Sequence, residues 1–139
     1  MLPSSWQVSN EEGWFVQCLK VMIVDDQTGI RRLLTEYFHS EGWAPMEARN
    51  GQEALDLLPE SPDVILLDMK MPVMDGLETL RFVRAQSPDL PVIIMTAYGE
   101  LDLVRQAETL GISAKISKPF DIEALREMVM RIYSERRAS

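Results

Sequence analysis

The sequence predicts an α/β fold in which five parallel strands are covered by helices on both faces. Three apolar runs rich in β-branched residues lie at 21–24, 64–67 and 92–95, and a weaker run lies at 114–116. The first three are continuous rather than alternating, which is typical of strands buried on both faces of a sheet. A further strand is predicted at 44–48, mainly from its position between two helical segments.

The segments between these runs have the period of amphipathic helices. In the first segment, Ile30, Leu33, Leu34, Tyr37 and Phe38 share one helical face. Capping and breaking residues predict the helix ends, at Gly42, Asn50, Pro59, Asp75, Gly111 and Asp121. Strands that alternate with helices imply a parallel sheet, and the flavodoxin-like (βα)5 fold with strand order 2-1-3-4-5 is expected at this size.

Length and composition fit one globular domain. The chain has 139 residues, of which 46% are hydrophobic and 26% are charged, so a sizeable core is expected. We assign residues 20–135 to this domain, 1–19 to an N-terminal extension and 136–139 to a short tail. The extension lies outside the strand–helix repeat, and its sequence is compatible with a disordered tail, a docking segment or a misassigned start.

Charge and cysteine content limit the partners and the compartment. The chain has 22 acidic and 14 basic residues and a net charge of −8, so we expect no binding to nucleic acid, where phosphate contacts drive the association. Cys18 is the only cysteine, which excludes an intrachain disulfide and fits a cytoplasmic protein. No apolar run approaches the ~20 residues of a membrane span. We expect a monomer that does not bind membranes.

Reactive side chains stand where the predicted strands end. The first strand runs into Asp25 and Asp26, the third into Asp68, the fourth into Thr96 and the fifth toward Lys118. The carboxyl ends of the strands form the ligand crevice of a doubly wound sheet, so these side chains should converge. Any one of them alone is more often a loop cap or a turn residue. Five such placements at one sheet edge are improbable by chance.

Three carboxylates at one sheet edge repel one another unless a cation lies between them. Mg²⁺ prefers oxygen ligands and usually keeps several waters beside one or two carboxylates. We expect Asp26 and Asp68 to bind Mg²⁺ directly and Asp25 to bind it through water. The backbone carbonyl of Lys70 is expected to supply a further oxygen.

The same set of residues suits phosphoryl transfer to an aspartate. An Asp carboxylate can attack phosphorus and form an aspartyl-phosphate, and the transfer depends mainly on positioning and charge neutralisation. We expect Asp68 to be the nucleophile, Lys118 to neutralise the phosphoryl group as a point charge, and the Thr96 hydroxyl to donate a hydrogen bond to it. Pro119 makes a cis peptide bond accessible, and such a bond would direct Lys118 inward.

Four motifs resemble those of response-regulator receiver domains of two-component systems. They are Val-Asp-Asp at 24–26, Leu-Leu-Asp-Met-Lys-Met-Pro-Val-Met-Asp-Gly at 66–76, Met-Thr-Ala-Tyr-Gly at 95–99 and Lys-Pro-Phe at 118–120. The resemblance extends over residues 20–134. The resemblance is most detailed with the single-domain receivers of the sporulation phosphorelay.

The resemblance implies a function and roles for individual residues. It implies that Asp68 accepts a phosphoryl group from the phosphohistidine of a sensor histidine kinase. It also implies a Mg²⁺ site at Asp25, Asp26 and Asp68, and phosphoryl contacts from Thr96 and Lys118. The relay subtype implies a second partner, a helical-bundle histidine phosphotransferase. Such a chain is a signalling protein that catalyses only its own phosphorylation and dephosphorylation.

Two positions depart from the family pattern. Many receivers have an aromatic residue three positions before the Lys of Lys-Pro, where this chain has Lys115. Most also have Gly-Ala before the fifth strand, where this chain has Gly111-Ile112. Position 115 therefore lacks the aromatic residue that is the usual partner of the Thr at the end of the fourth strand, here Thr96.

Three other functions share parts of the pattern. A receiver excised from a longer transcriptional regulator would have the same sequence, and a longer reading frame would identify it. A phosphatase of the haloacid-dehalogenase kind also uses Asp, Thr, Lys and Mg²⁺. Its Asp-x-Asp motif follows the first strand, whereas Asp68 ends the third and precedes Met69-Lys70. A nucleotide-binding flavodoxin-like protein would be expected to have Gly-x-Gly-x-x-Gly after strand one, which this sequence lacks.

Overall fold

A computed structural model describes residues 6–8 and 15–138 of the chain. Within these ranges, the strands are β1 (Trp6–Val8), β2 (Phe15–Gln17), β3 (Lys20–Val24), β4 (Ala44–Ala48), β5 (Val64–Asp68), β6 (Val92–Thr96) and β7 (Ala114–Ser117). The helices are α1 (Thr28–Ser40), α2 (Gly51–Leu57), α3 (Gly76–Gln86), α4 (Leu101–Leu110) and α5 (Ile122–Ala138). A 3-10 turn at Leu58–Glu60 follows α2.

Five of the strands form one parallel sheet in the order β4-β3-β5-β6-β7. Counted from β3, this is the order 2-1-3-4-5, so the predicted flavodoxin-like fold is confirmed. Every residue of β5 and β6 is buried, as their continuous apolar runs indicate. The edge strand β7 alternates between half-buried and exposed residues, because Ala114 and Ile116 pack against the core under α1 and α5 while Lys115 and Ser117 point to the opposite face of the sheet. Its sequence signal is correspondingly weaker.

The sheet separates two hydrophobic cores. Successive strand residues point to opposite faces, so Val21 and Ile23 belong to one core while Met22 and Val24 belong to the other. Helices α1 and α5 cover the first face, with buried side chains Leu34, Phe38, Leu125, Val129 and Ile132. Helices α2, α3 and α4 cover the second face, with buried side chains Ala54, Leu80, Val83, Val104 and Ala107. The strands β3, β5 and β6 are thereby held firmly, which fixes their carboxyl ends.

The two chain ends differ in part from the predicted domain bounds. In the N-terminal extension, β1 and β2 pair as antiparallel strands, with Trp6 opposite Gln17. The rest of the extension before Cys18, residues 1–5 and 9–14, lies outside the described residues, and so does the expectation of disorder there. At the other end, α5 continues through residues 136–138 of the predicted tail. No glycine or proline interrupts the helix after Ile122, and Arg136 and Arg137 lie in its last turn, where basic residues are favourable.

No helix in the described ranges has both the length and the apolar character that crossing a membrane requires.

Candidate metal and phosphoryl site

The three acidic residues of the predicted cation site lie together at the carboxyl edge of the sheet. Asp25 and Asp26 follow β3 directly, and Asp68 is the last residue of β5. Since β3 and β5 are adjacent parallel strands, one carboxylate oxygen from each of the three residues lies within 4.8 Å of the others. Asp25 and Asp68 are 0% and 6% exposed, whereas Asp26 is exposed to solvent. The expected convergence of these carboxylates is therefore observed.

Asp25 is held on both its side chain and its backbone. The backbone N–H of Gln27 donates to Asp25 Oδ1 over 2.9 Å, and Lys118 Nζ donates to Oδ2 over 2.7 Å. The backbone N–H of Asp25 donates to the carbonyl of Ala48 in β4 over 3.1 Å. Its own carbonyl accepts a hydrogen bond of 2.7 Å from Arg31 Nη1. The carboxylate therefore has a fixed direction before any ligand binds.

Lys118 brings a positive charge between the buried carboxylates. Its Nζ lies 2.7 Å from Asp25 Oδ2 and 3.5 Å from Asp68 Oδ1. The backbone N–H of Lys118 donates to the carbonyl of Thr96 over 2.7 Å, which fixes the loop after β7 to the end of β6. The Lys118–Pro119 peptide bond is cis, as expected from the sequence. The side chain is mostly buried, so its charge acts inside the site.

Asp68 is poorly stabilised as a carboxylate. Burial raises the pKa of Asp68 from 3.8 to about 7, and the charge of Asp25 contributes to this increase. Lys118 and the backbone N–H of Lys70, which lies 3.5 Å from Asp68 Oδ1, lower this pKa in part, while Asp26 raises it further. The acidic cluster thus contains more negative charge than one ammonium group neutralises. An oxygen-lined site of this kind fits a hard divalent cation such as Mg²⁺.

Thr96 and Lys70 are near the acidic cluster, and the structure shows the contacts that they make within the protein. The Thr96 hydroxyl, at the end of β6, donates to the carbonyl of Ile116 in β7 over 3.4 Å. Lys70 is exposed, and the atom that contacts Asp68 is its backbone nitrogen. The expected roles of the Thr96 hydroxyl and the Lys70 carbonyl remain predictions.

Three residues that support the site were missed by the sequence analysis. Arg31 is buried and contacts Asp25, although charged side chains in amphipathic helices are usually exposed; its spacing from the buried Leu34 and Phe38 was the available signal. Glu100 is also buried, and its Oε1 accepts a hydrogen bond of 3.1 Å from the backbone N–H of Ala97 in the loop after β6. At Gly76, a Cβ atom would lie 2.3 Å from the backbone oxygen of Asp68. The Asp-Gly pair at 75–76 was an available signal for this close approach.

The position that is aromatic in many receivers is part of an open groove. Lys115 pairs with Glu108 of α4 over 3.3 Å. The groove has a volume of about 320 Å³, and Thr96, Tyr98 and Lys115 are among its lining residues. The Tyr98 side chain is fully exposed at this groove. No aromatic side chain is therefore packed behind Thr96 from position 115.

Residues 21–130 match the family model of the response regulator receiver domain. The chain therefore belongs to the response regulator receiver family, a class of signalling proteins. This assignment favours the receiver over the phosphatase and the nucleotide-binding protein among the alternatives considered above.

Two similar proteins differ in how much of their own length the match covers. Sporulation initiation phosphotransferase F of Bacillus subtilis (strain 168) is 49% identical over 113 residues, which cover 81% of this chain and 91% of that protein. Regulatory protein AtoC of Escherichia coli (strain K12) is 39% identical over 113 residues, but the match covers only 24% of its length.

Solved structures show the same fold. The receiver domain of AraT, a response regulator from Geobacillus stearothermophilus, superposes with a TM-score of 0.78 and 31% identity, covering 88% of this chain and 98% of that one. Vibrio cholerae chemotaxis protein CheY4 superposes with a TM-score of 0.77 and 30% identity, covering 83% and 98%.

Proposed function

We propose that this receiver accepts a phosphoryl group from a phosphohistidine onto Asp68 in a Mg²⁺-dependent reaction, as a single-domain intermediate of a phosphorelay. The observation that carries the proposal is the placement of Asp68 between two other carboxylates and the ammonium of Lys118. This arrangement combines a nucleophile, a cation site and a fixed positive charge at one sheet edge.

The transfer step follows from these positions. A carboxylate oxygen of Asp68 attacks phosphorus, a P–O bond forms, and the P–N bond to the donor imidazole breaks. The departing imidazole keeps the bonding electron pair. Lys118, now 3.5 Å from Asp68 Oδ1, neutralises charge on the phosphoryl oxygens, and the Thr96 hydroxyl turns to donate a hydrogen bond to one of them.

The cation site completes the charge balance. Asp26 and Asp68 would hold Mg²⁺ directly, Asp25 would hold it through water, and the Lys70 carbonyl would add a further oxygen. Bound there, Mg²⁺ would supply positive charge to neutralise the transferring phosphoryl group. The hydrogen bond of 2.7 Å from Lys118 to Asp25 holds these two side chains in fixed positions at the site.

The same site accounts for loss of the phosphoryl group. Water attacks phosphorus in the aspartyl-phosphate, the P–O bond to Asp68 breaks, and inorganic phosphate leaves. No other substrate is turned over, so the chain catalyses only its own phosphorylation and dephosphorylation.

The partners we propose are a sensor histidine kinase and a helical-bundle histidine phosphotransferase. An apolar groove of about 420 Å³ beside the site supports docking of a partner helix, and Ile30, Leu33 and Phe120 are among its lining residues. The similarity to a sporulation phosphotransferase over 91% of that protein favours the relay role. We further propose a cytoplasmic monomer that binds neither nucleic acid nor membranes, in keeping with a net charge of −8.

One other function remains a candidate because of a specific observation. The match to AtoC covers 24% of that longer protein, and on this ground the second candidate function is that of the input part of a larger regulator. In that case phosphorylation of Asp68 would control an attached output domain. The site chemistry is the same in both cases.

Intact-protein mass spectrometry after incubation with acetyl phosphate and Mg²⁺ tests the chemistry. We expect one phosphoryl increment on the wild type and on Asp56→Asn, which removes an exposed carboxylate of α2. We expect no increment on Asp68→Asn and none on the wild type in EDTA. Labelling of Asp68→Asn at the wild-type level would overturn the assignment. Rapid transfer of the label to a purified histidine phosphotransferase would support the relay role.

A further inference from the structure

Arg31 is a buried cation that contacts the backbone of the site. It lies in α1 and is 7% exposed. Its Nη1 donates to the backbone carbonyl of Asp25 over 2.7 Å, and its Nε lies 3.4 Å from Oε1 of Glu47 in β4. A buried guanidinium is costly unless its N–H groups are paired. Because Glu47 is partly exposed, the Asp25 carbonyl is the partner of Arg31 inside the protein.

The hydrogen bond to this carbonyl controls more than one residue. The Asp25 carbonyl belongs to the peptide unit that joins Asp25 to Asp26, and a peptide unit is planar. Restraining the direction of the carbonyl therefore also restrains the plane that contains the Cα atoms of both residues. The other end of Asp25 is fixed by the bond from its N–H to Ala48. Arg31 thus restrains the backbone from which both carboxylate side chains extend.

We propose that Arg31 is a positioning residue for the cation site, acting through the 25–26 peptide unit. The proposal rests on the Mg²⁺ site of the proposed function. Groups that orient metal ligands without contacting the metal typically contribute 10- to 100-fold to metal affinity. The effect depends on the position of the guanidinium and not only on its charge. Arg32, the next residue in α1, is exposed and has the same charge.

Titration calorimetry with Mg²⁺ on the full chain separates these two effects. Arg31→Gln and Arg32→Gln change the net charge equally. We expect Arg31→Gln to weaken Mg²⁺ binding about tenfold or more, and Arg32→Gln to change it by less than about twofold. The Mg²⁺ concentration for half-maximal labelling by acetyl phosphate should shift in parallel. Equal affinities of the two folded variants would overturn the proposal.

Urea unfolding without Mg²⁺ shows whether each variant is folded under the conditions of the titration. A purely structural Arg31 would lower stability while leaving the Mg²⁺ affinity of the folded protein unchanged. If Arg31→Gln does not fold, the same Mg²⁺ titration of Arg31→Lys and Arg32→Lys tests the proposal. Lys keeps the charge but lacks the planar fork, so weaker binding in Arg31→Lys alone supports the proposal, and equal binding overturns it. A wild type that binds no Mg²⁺ would overturn the cation site itself.

Discussion

The Nζ atom of Lys118 lies 2.7 Å from Oδ2 of Asp25 and 3.5 Å from Oδ1 of Asp68, so one ammonium group links the two buried carboxylates of the site. The link joins the loop after β7 to the ends of β3 and β5, across the width of the sheet. It places the positive charge of the site before any phosphoryl group arrives. A preorganised charge of this kind stabilises a transition state without the cost of reorganisation.

Replacing Lys118 should therefore impair phosphorylation severely. We expect Lys118→Gln to slow labelling of Asp68 by acetyl phosphate by about 100-fold or more, because the fixed charge at the phosphoryl oxygens is lost. Lys115→Gln is the matched control, since it removes the same charge from an exposed ion pair with Glu108. The labelling rate is measured by intact-protein mass spectrometry over time. A similar loss in both variants would show that only the net charge matters.

The pKa of Asp68, raised by burial to about 7, predicts how stability depends on pH without metal. The folded state binds the carboxyl proton of Asp68 more tightly than the unfolded state does. The stabilisation that this proton provides is complete below pH 3.8 and is lost as the pH rises through about 7. We expect Asp68→Asn to be more stable than the wild type at about pH 8, with the difference shrinking at about pH 5. Urea unfolding at both pH values measures this, with Asp56→Asn as the control.

Mg²⁺ should counteract the effect of burial on Asp68, because it favours the deprotonated carboxylate. A metal ligand must be deprotonated, so Mg²⁺ competes with the proton on Asp68. We expect a larger increase of the melting temperature on adding Mg²⁺ at about pH 8 than at about pH 5, and a much smaller increase for Asp68→Asn. An equal increase at both pH values would contradict the raised pKa of Asp68.

Sequence reasoning located the acidic residues correctly because strand ends and residue type both appear in a linear pattern. The positions of Asp25 and Asp68 at one sheet edge follow from the strand order, which the alternating strands and helices predict. Arg31 was not found in this way because charged side chains in helices are usually exposed, although it shares a helical face with Leu34 and Phe38. Its burial depends on a carbonyl acceptor that only the folded turn after β3 provides. The contact of Thr96 with Ile116 likewise depends on the register of β6 and β7.

Gly76 should be required for the geometry of the loop after Asp68. A Cβ atom there would lie 2.3 Å from the Asp68 oxygen and 2.6 Å from the Cα of Met69, so the backbone would have to move. We expect Gly76→Ala to lower the free energy of unfolding by about 1–3 kcal/mol and to weaken Mg²⁺ binding. In α1, a Cβ at Gly29 meets nothing within 4 Å, so Gly29→Ala should instead stabilise the protein by about 0.5–1 kcal/mol. Urea unfolding of both variants tests the contrast, and equal effects would contradict it.

Val73, five residues after Asp68, has a backbone conformation that β-branched residues rarely adopt. Its φ is 72°, and the N–H of Met74 donates to the carbonyl of Pro72 over 2.8 Å, which makes a strained γ-turn. The Val73 side chain is 91% exposed, so its removal loses little packing. We expect Val73→Gly to raise the free energy of unfolding by about 0.5–1 kcal/mol, because glycine adopts positive φ without steric strain. Val73→Ala keeps the Cβ atom and should show a smaller gain. Equal stabilities of the Gly and Ala variants in urea unfolding would mean that the turn is not strained.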